Sequence, residues 1–431
     1  MMHKNVRIPK ILLQEADKLE KYYTNYYKQL APLVKQCFLN TIETTVKRLE
    51  DGSFFVITGD IHAMWLRDSA AQVMHYVRFA GEDRQLQEII EGVIARQAVL
   101  VCEDPYANAF NEKPDGSGHK DDTKQNPLVF ERKYETDSLC APVYLAYHYW
   151  KTTAKNEIFT RSFYEMLQAI VDTFEKEQDH GRSEYYFRRD TDWEIDTLAC
   201  DGAGRPVGIT GMTWSGFRPS DDSCYYHYLI PANMMAAVAM DYAREMLISG
   251  YHAQNLADRC VRIGEQIRSG IVSYGMVEHP EYGIMYAYET DGLGNHNLMD
   301  DANSPNLLGM PYLNYCDKSD AVYRNTRRFI LSKENPYYAV GSAARGLGSP
   351  HTGKGSAWHI GIIMQALTSD DRDEILECLE MLSRTHAGTN YMHESFDPDS
   401  PEKYTRSWFA WANSLFAELM VRLKEEGFFE G

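Results

Sequence analysis

Two kinds of helical pattern alternate along this chain, and their alternation restricts the available folds more than any other feature. In the first kind, apolar residues occupy one face. Leu86, Ile89, Ile90, Val93 and Ile94 form one such stripe, and Phe159, Phe163, Met166, Leu167, Ile170, Val171 and Phe174 form another. Trp408, Trp411, Ala412, Leu415, Phe416 and Leu419 form a third. In the second kind, exemplified by Tyr225 to Met240, the stretch is apolar nearly all round and reads as a helix enclosed on every side. Pro231 lies within that stretch, which sets a helix start near Ala232 or a kink there. Strand-like pieces at Phe54 to Ile57, Glu184 to Phe187 and Ile284 to Tyr288 are too few and too dispersed for a central sheet. No fixed period of self-similarity supports a solenoid. Helical hairpins closed into a ring accommodate both helix types, the enclosed ones inside and the one-faced ones outside. Polar loops near 58–68, 131–137, 214–222, 291–303, 345–359 and 389–396 would then gather at one end. The expectation is an all-α toroid with a few short strands in its loops. No linker rich in Pro, Gly or Ser divides the chain, so residues 1–431 read as a single domain. The polar segment from Asn108 to Asn126 reads as a lid or rim.

Composition narrows the ligands. Asp plus Glu is 62 against 44 Lys plus Arg, a net charge of −18, which repels nucleic acid and anionic lipid and leaves neutral substrates open. The start, Met1 to Pro9, lacks the apolar core of a signal peptide, and no apolar run approaches the roughly 18 residues of a membrane span. The expectation is a soluble, cytoplasmic protein. The eight cysteines are scattered without a Cys-x-x-Cys pair, which predicts reduced, mostly buried thiols and no cysteine-built zinc site.

Three segments concentrate more chemistry than a structural junction needs. Thr58 to Gln72 ends an apolar strand and opens a helix, and it holds Asp60, His62, Trp65, Arg67 and Asp68. Asp68 could cap the helix and Asp60 could close a turn, but Arg67, His62 and Trp65 have no such role. A guanidinium and an indole beside two carboxylates are what a polyhydroxylated ligand requires. Trp214 to Tyr225 contains Arg218 and the doublet Asp221-Asp222. A capping role before a helix accounts for one carboxylate, not two. Repulsion and desolvation would raise one of them towards the pKa of a general acid, and the residues alone leave open which. Ala387 to Asp399 carries Glu394 beside Tyr391 and His393, in turn-forming sequence where a carboxylate could hold a water. Glu135 and Asp137 open a further helix, as caps or sugar clamps. Asn303 lies in the polar run from His296, and His351 lies in a Gly-rich loop that lacks the phosphate-binding pattern. Trp65, Trp214 and Trp358 suit stacking on a pyranose ring, although any one such indole is more often part of a core than a platform. Histidine spacing gives no metal site, and His359 reads as satisfying buried hydrogen bonds.

Taken together, Gly59 to Gln72, Gly216 to Asp222 and Asn390 to Phe396 resemble glycoside hydrolase family 125, the exo-acting α-1,6-mannosidases. Met299 to Asn306 and Gly348 to Gly353 also look like features of that family, and the likeness runs from roughly residue 20 to 425. The resemblance implies an (α/α)6 toroid and inverting hydrolysis without a metal or other cofactor. It implies Asp221 as general acid and Glu394 as general base. Asp222 would then be a cap or a partner for a sugar hydroxyl, and Arg67, Asp68 and Trp65 would enclose a terminal mannose. The implied partner is a neutral mannose-containing oligosaccharide, and nothing here defines an oligomeric state. Inversion needs the two carboxyls about 6.5–9.5 Å apart, with water between base and sugar. Two rival readings use the same ring. A sugar epimerase or isomerase would employ His351 and His359 as acid and base, and a mannoside-binding protein would leave its ligand intact.

Overall fold

The computed structural model describes residues 6–430; the first five residues and Gly431 lie outside the described part of the chain. Among the described residues, twelve α-helices run in chain order: α1 Lys10–Tyr26, α2 Ala31–Thr44, α3 Leu66–Met74, α4 Arg84–Glu103, α5 Thr136–Thr153 and α6 Arg161–Glu177. They continue as α7 Ile230–Met246, α8 Gln254–Tyr274, α9 Ala321–Ile330, α10 His359–Leu367, α11 Arg372–Thr385 and α12 Ala410–Glu425. The neighbours α3, α5 and α7 pack side by side, and α10, α12 and α3 do the same, forming most of an inner ring. Of these, α7 is the helix whose sequence is apolar nearly all round. α12, whose stripe reads as one-faced and outer, lies instead in the inner ring, and α3 buries Arg67, Asp68 and Gln72 there because they face the centre of the ring. Every residue of α10 is buried, as is the run from Ala410 to Val421 in α12.

α2, α4, α6, α8, α9 and α11 lie outside and bury one face each. In α6 that face is Phe163, Met166, Leu167, Ile170, Val171 and Phe174, the stripe seen in the sequence. The N-cap of α6 is Thr160, whose hydroxyl accepts from the Phe163 N–H, so Phe159 falls outside the helix. α1 packs against α2. Helix α7 starts at Ile230, with Pro231 in the first turn, where its missing N–H costs nothing.

Between α7 and α10 the inner ring is completed without a regular helix. Residues 304–315 fold as successive turns that bury Leu307, Leu308, Met310 and Leu313. Pro305 and Pro311 each remove a backbone donor, which explains why no helix propagates here. Side chains from the neighbours fasten the segment instead: Tyr144 of α5 donates to the Leu313 carbonyl at 2.9 Å, and Asn314 donates to Tyr242 of α7 at 2.9 Å. Tyr312 donates to Glu418 of α12 at 2.8 Å. Buried Asp300 accepts from the N–H groups of Leu307 and Leu308, and burial pushes its carboxyl up to about 8.

Short strands pin the loops at the N-terminal ends of the inner helices. Met64–Trp65 pairs with Ala109–Phe110, which pairs with Val129–Glu131; Ala357–Trp358 pairs with Ser395–Phe396. The predicted strands at Phe54 and Ile284 form as Phe54–Val56 and Gly283–Tyr286. Glu184 to Phe187 does not form a strand; beside it only an isolated bridge joins Arg188 to Asp122. The Asn108–Asn126 segment starts in one of these sheets and is tied to Arg188 and Arg189 through Asp122 and Asp121, so it forms a fastened rim. Among the described residues, no helix is long and apolar enough to cross a membrane, and all eight cysteines are unpaired.

Candidate active site

The N-terminal ends of the inner helices surround a small pocket. Its walls include Trp65, Asp68, Asp221, Asn303, His351, Trp358, Glu394 and Arg406, and Arg67 and Trp411 form its floor. On the far side of that floor the ring holds a second, larger cavity with about 1080 Å³ of free space, lined by Tyr144, His148 and Glu418 among others. The Arg67 guanidinium lies over the Trp411 ring at 5.4 Å, so one cation–π layer separates the two spaces.

The local folding of each wall follows from the sequence. Trp65 is extended as the last strand residue and is the N-cap position of α3, which puts Arg67 and Asp68 in the first helical turn. Asp68 is thus within the helix, where the positive end of the dipole favours a carboxylate, rather than capping it. Its Oδ2 is 3.3 Å from Arg67 Nη2 and receives no hydrogen bond among the described residues. Arg67 Nη1 donates to Glu135 Oε2 at 2.7 Å and to Asp137 Oδ2 at 2.9 Å. Burial would lower the Arg67 pKa, but those carboxylates hold it well above the ordinary value, so it stays charged. Gly59 carries the chain across the α12 entry with φ +136°, and a Cβ there would meet the Trp408 carbonyl oxygen at 2.4 Å. No other residue fits that position without a shift.

Asp221 caps no helix. It adopts φ +64°, a left-handed conformation that costs about 1–2 kcal/mol for a side chain of this kind. The turn is closed by Asp221 N–H on the Arg218 carbonyl at 2.9 Å and Arg218 N–H on the Asp222 carbonyl at 2.7 Å. Its Oδ1 accepts from Asn108 Nδ2 at 3.0 Å and from Trp65 Nε1 at 3.3 Å, and Lys133 Nζ donates to its carbonyl at 2.7 Å. Burial would raise its pKa, yet Lys133, Glu135, Arg67 and His351 bring it below the usual carboxylate value. Asp222 points elsewhere: its Oδ1 lies 2.9 Å from His351 Nδ1. Burial would lower the His351 pKa, but this bond and the charge of Asp222 push it up to about 9, so the pocket carries an imidazolium at neutral pH.

Glu394 lies in the loop between α11 and α12, just before the strand Ser395–Phe396. Its Oε2 accepts from Thr405 Oγ1 at 2.8 Å, and Arg406 Nη1 lies 3.7 Å from its Oε1. Arg406 also clasps Asp60 through Nε at 3.0 Å. Burial pulls the Arg406 pKa down, and Asp60 and Glu394 more than offset it.

Several residues expected to touch a sugar lie elsewhere. Trp214 is fully buried, with His180 stacked on it at 3.6 Å and Tyr134 parallel at 6.3 Å, so it offers no face to the pocket. Arg218 is locked to buried Glu289 at 2.7 Å. His393 stacks on Tyr404 at 3.8 Å behind Glu394. His62 is outside, with its side chain 60% exposed and 3.3 Å from Glu112. Glu135 and Asp137 lie behind Arg67, out of reach of the pocket, and Asp60 reaches the site through Arg406. His359 is fully buried, held by the His393 N–H at 2.9 Å and by Thr385, and burial pushes it down to about 3. It cannot act as one of an isomerase pair with His351. Conversely, Asn108, Lys133, Thr405, Arg406, Phe409 and Trp411 belong to the site or its support, and none stood out in the sequence as a functional residue. The signal available for Arg406 was its position just before a buried aromatic run.

A ring of helix ends that encloses carboxyls, indoles and a fixed guanidinium defines a toroidal glycoside hydrolase. Comparison with known proteins gives the family. The Metal-independent alpha-mannosidase (GH125) family pattern matches residues 27–421, and the chain belongs to that family. It is 40% identical over 422 residues to the meiotically up-regulated gene 157 protein of Schizosaccharomyces pombe, covering 92% of this chain and 83% of the yeast protein. It is similar to a Streptococcus pneumoniae metal-independent α-mannosidase, solved as a non-productive complex with α-1,6-mannobiose. That likeness has TM-score 0.94 and 44% identity, over 96% of this chain and 99% of the other. A bacterial glucoamylase shares the fold alone, with TM-score 0.55 and 11% identity over 96% of this chain and 57% of its own.

Proposed function

We propose that this α-mannosidase removes terminal α-1,6-linked mannose from neutral oligosaccharides with inversion at the anomeric carbon. The observation that carries the reading is the convergence of Asp221 and Glu394, more than 170 positions apart, on one pocket with Trp65 and Trp358 in its walls. The capture of α-1,6-mannobiose by the Streptococcus pneumoniae relative supports the linkage. In this reading Asp221 gives a proton to the glycosidic oxygen as the bond lengthens. Glu394, supplied by Thr405 and Arg406 with a hydrogen bond and a countercharge, takes a proton from the attacking water. Arg67 and Asp68 meet the hydroxyls of the terminal sugar. The charge on His351 favours electron density leaving with the aglycone oxygen.

We also propose that the chain is one catalytic domain, a reading supported by a single large hydrophobic cluster that runs from Leu12 to Leu423. A cytoplasmic location is part of the same reading, supported by five thiols buried in the core, a usage suited to a reducing compartment. The decisive experiment is proton NMR of α-1,6-mannobiose incubated with the protein and EDTA. Early β-mannose supports the reading, early α-mannose overturns inversion, and an unchanged spectrum overturns the substrate.

A further inference from the structure

Glu135 occupies the N-cap position of α5 but makes no capping hydrogen bond. Its side chain is fully buried, and its Oε2 accepts from Arg67 Nη1 and Ser138 Oγ, both at 2.7 Å. The other oxygen faces an unusual crowd. Asn108 Nδ2 lies 3.0 Å from Glu131 Oε2, 3.0 Å from Asp221 Oδ1 and 3.3 Å from Glu135 Oε1. An amide nitrogen has two hydrogens, so three carboxyl oxygens compete for two donors. The amide cannot be turned to relieve this, because its own oxygen accepts from the Lys133 N–H at 3.2 Å. Glu135 and Asp221 are thus joined through one amide nitrogen, Asn108 Nδ2, which lies within hydrogen-bond distance of both.

Apart from the Arg67 bond to Glu135, the cations around the pair have other partners. Arg67 is shared by Asp68, Glu135 and Asp137. Lys133 Nζ binds Asp196 at 2.6 Å and the Asp221 carbonyl, Arg189 serves Asp121, Glu131 and Asp196, and His351 pairs with Asp222. Arg406 faces Asp60 and Glu394. Among the described residues, no Lys or Arg forms a salt bridge with the Asp221 carboxyl. Two buried carboxyls that share one amide donor and have one directly bonded cation, Arg67 on Glu135, favour a state with a single proton between them, as in other carboxyl dyads.

We propose that Glu135 and Asp221 hold one proton between them, and that Glu135 is the positioning residue that keeps this proton available to Asp221. The proposal rests on the reading of Asp221 as the general acid. Before cleavage the shared proton shifts onto Asp221. It then passes to the glycosidic oxygen, which keeps the electron pair of the breaking C1–O bond. The attacking water forms the new C1–O bond and gives its proton to Glu394. Both dyad carboxylates are now ionised, and their repulsion draws a proton back from solvent while Glu394 releases one. One water is consumed and no net proton. The environment of each partner agrees with this division. Burial pushes Glu135 well above the usual carboxyl range against the pull of Arg67, whereas Asp221 lies below it. Asp221 alone would enter the reaction without the proton an acid needs.

The test is Glu135→Gln, which keeps the shape and can still donate to Asp221 but holds no transferable proton. For α-1,6-mannobiose, kcat should fall roughly tenfold or more with KM little changed. The alkaline limb of the kcat/KM profile should move to lower pH, because Asp221 loses the like-charged neighbour that keeps the last dyad proton in place. An aryl α-mannoside whose leaving group needs no proton should lose less than about threefold, since the general-acid contribution is absent there. Equal losses on both substrates with an unmoved limb would mean a merely structural role and overturn the proposal. Neutron diffraction of the wild-type protein at neutral pD decides independently of that variant's folding. One deuteron between the carboxyls supports the proposal, and two bare carboxylates refute it. That readout is separate from turnover, so a protein inactive on mannobiose would sink the proposed substrate and leave the dyad testable.

Discussion

Replacing Glu394 by Gln isolates the task of the general base with little change of shape. The Gln oxygen can still accept from Thr405 at 2.8 Å, so the loop before α12 keeps that fastening. The amide nitrogen would face Arg406 in place of a carboxylate oxygen 3.7 Å away. At an effective dielectric near 20, unit charges at that separation attract by about 4.5 kcal/mol. Arg406 retains Asp60 as a partner, so the fold should lose only a fraction of that energy. Removing a general base costs about 10²–10⁴ in rate, or roughly 3–5.5 kcal/mol at about 1.4 kcal/mol per decade. The expected result is kcat on α-1,6-mannobiose lowered at least a hundredfold. The Kd for the same disaccharide, measured by calorimetry, should stay within about threefold, since binding does not use the proton that Glu394 removes. A variant turning over at near wild-type rate would refute the assignment. One that loses binding and turnover together would show Glu394 to be a sugar ligand instead.

Asp222→Asn should return His351 from about 9 towards or below 6.5, readable by NMR titration of the ring protons. Because the folded value is raised, the pair stabilises fully below about pH 6.5 and loses its effect as pH rises through about 9. Wild type should therefore lose more thermal stability than the variant over that interval, and parallel losses would contradict the argument. Gly59→Ala should lower stability by about 1–3 kcal/mol through its positive φ and the Trp408 contact, seen as a Tm a few degrees lower; an unchanged Tm would show that the strand entry yields easily. Trp358→Leu should raise KM while Trp214→Leu mainly lowers Tm, because only the first indole lines the pocket. The reverse pattern would show that Trp214 is reached by substrate.

The ring was legible in α7, whose apolar stretch is buried without a gap from Ile230 to Met240, whereas α12 read as a one-faced outer helix and is in fact buried from Ala410 to Val421. Arg67, Asp68, Asp221 and Glu394 stood out because each sits among more polar chemistry than a turn requires. Trp214 misled for a physical reason. An indole beside polar residues has the same sequence signature whether its face meets a sugar or, as here, the His180 ring. Asp221 was also expected at a helix start, and its left-handed φ shows a turn instead. Asn108 and Arg406 were hidden because their importance is made by closure. Arg406 meets Asp60 only when Gly59 bridges to Phe409, a junction of segments about 350 positions apart. The irregular sixth stave at 304–315 carried its warning in Pro305 and Pro311, which forbid a regular helix but do not reveal what takes its place.

The Arg67–Trp411 layer has a consequence for the order of events. A ring is open at both ends in principle, yet this floor turns the front half into a blind alley. Whatever lies deepest entered first and must leave last. In the proposed reading, the shortened glycan lies towards the mouth and departs before the freed mannose, which alone still occupies the bottom. Free mannose is then the last competitor for the empty site, and the chain is shortened by one residue per visit.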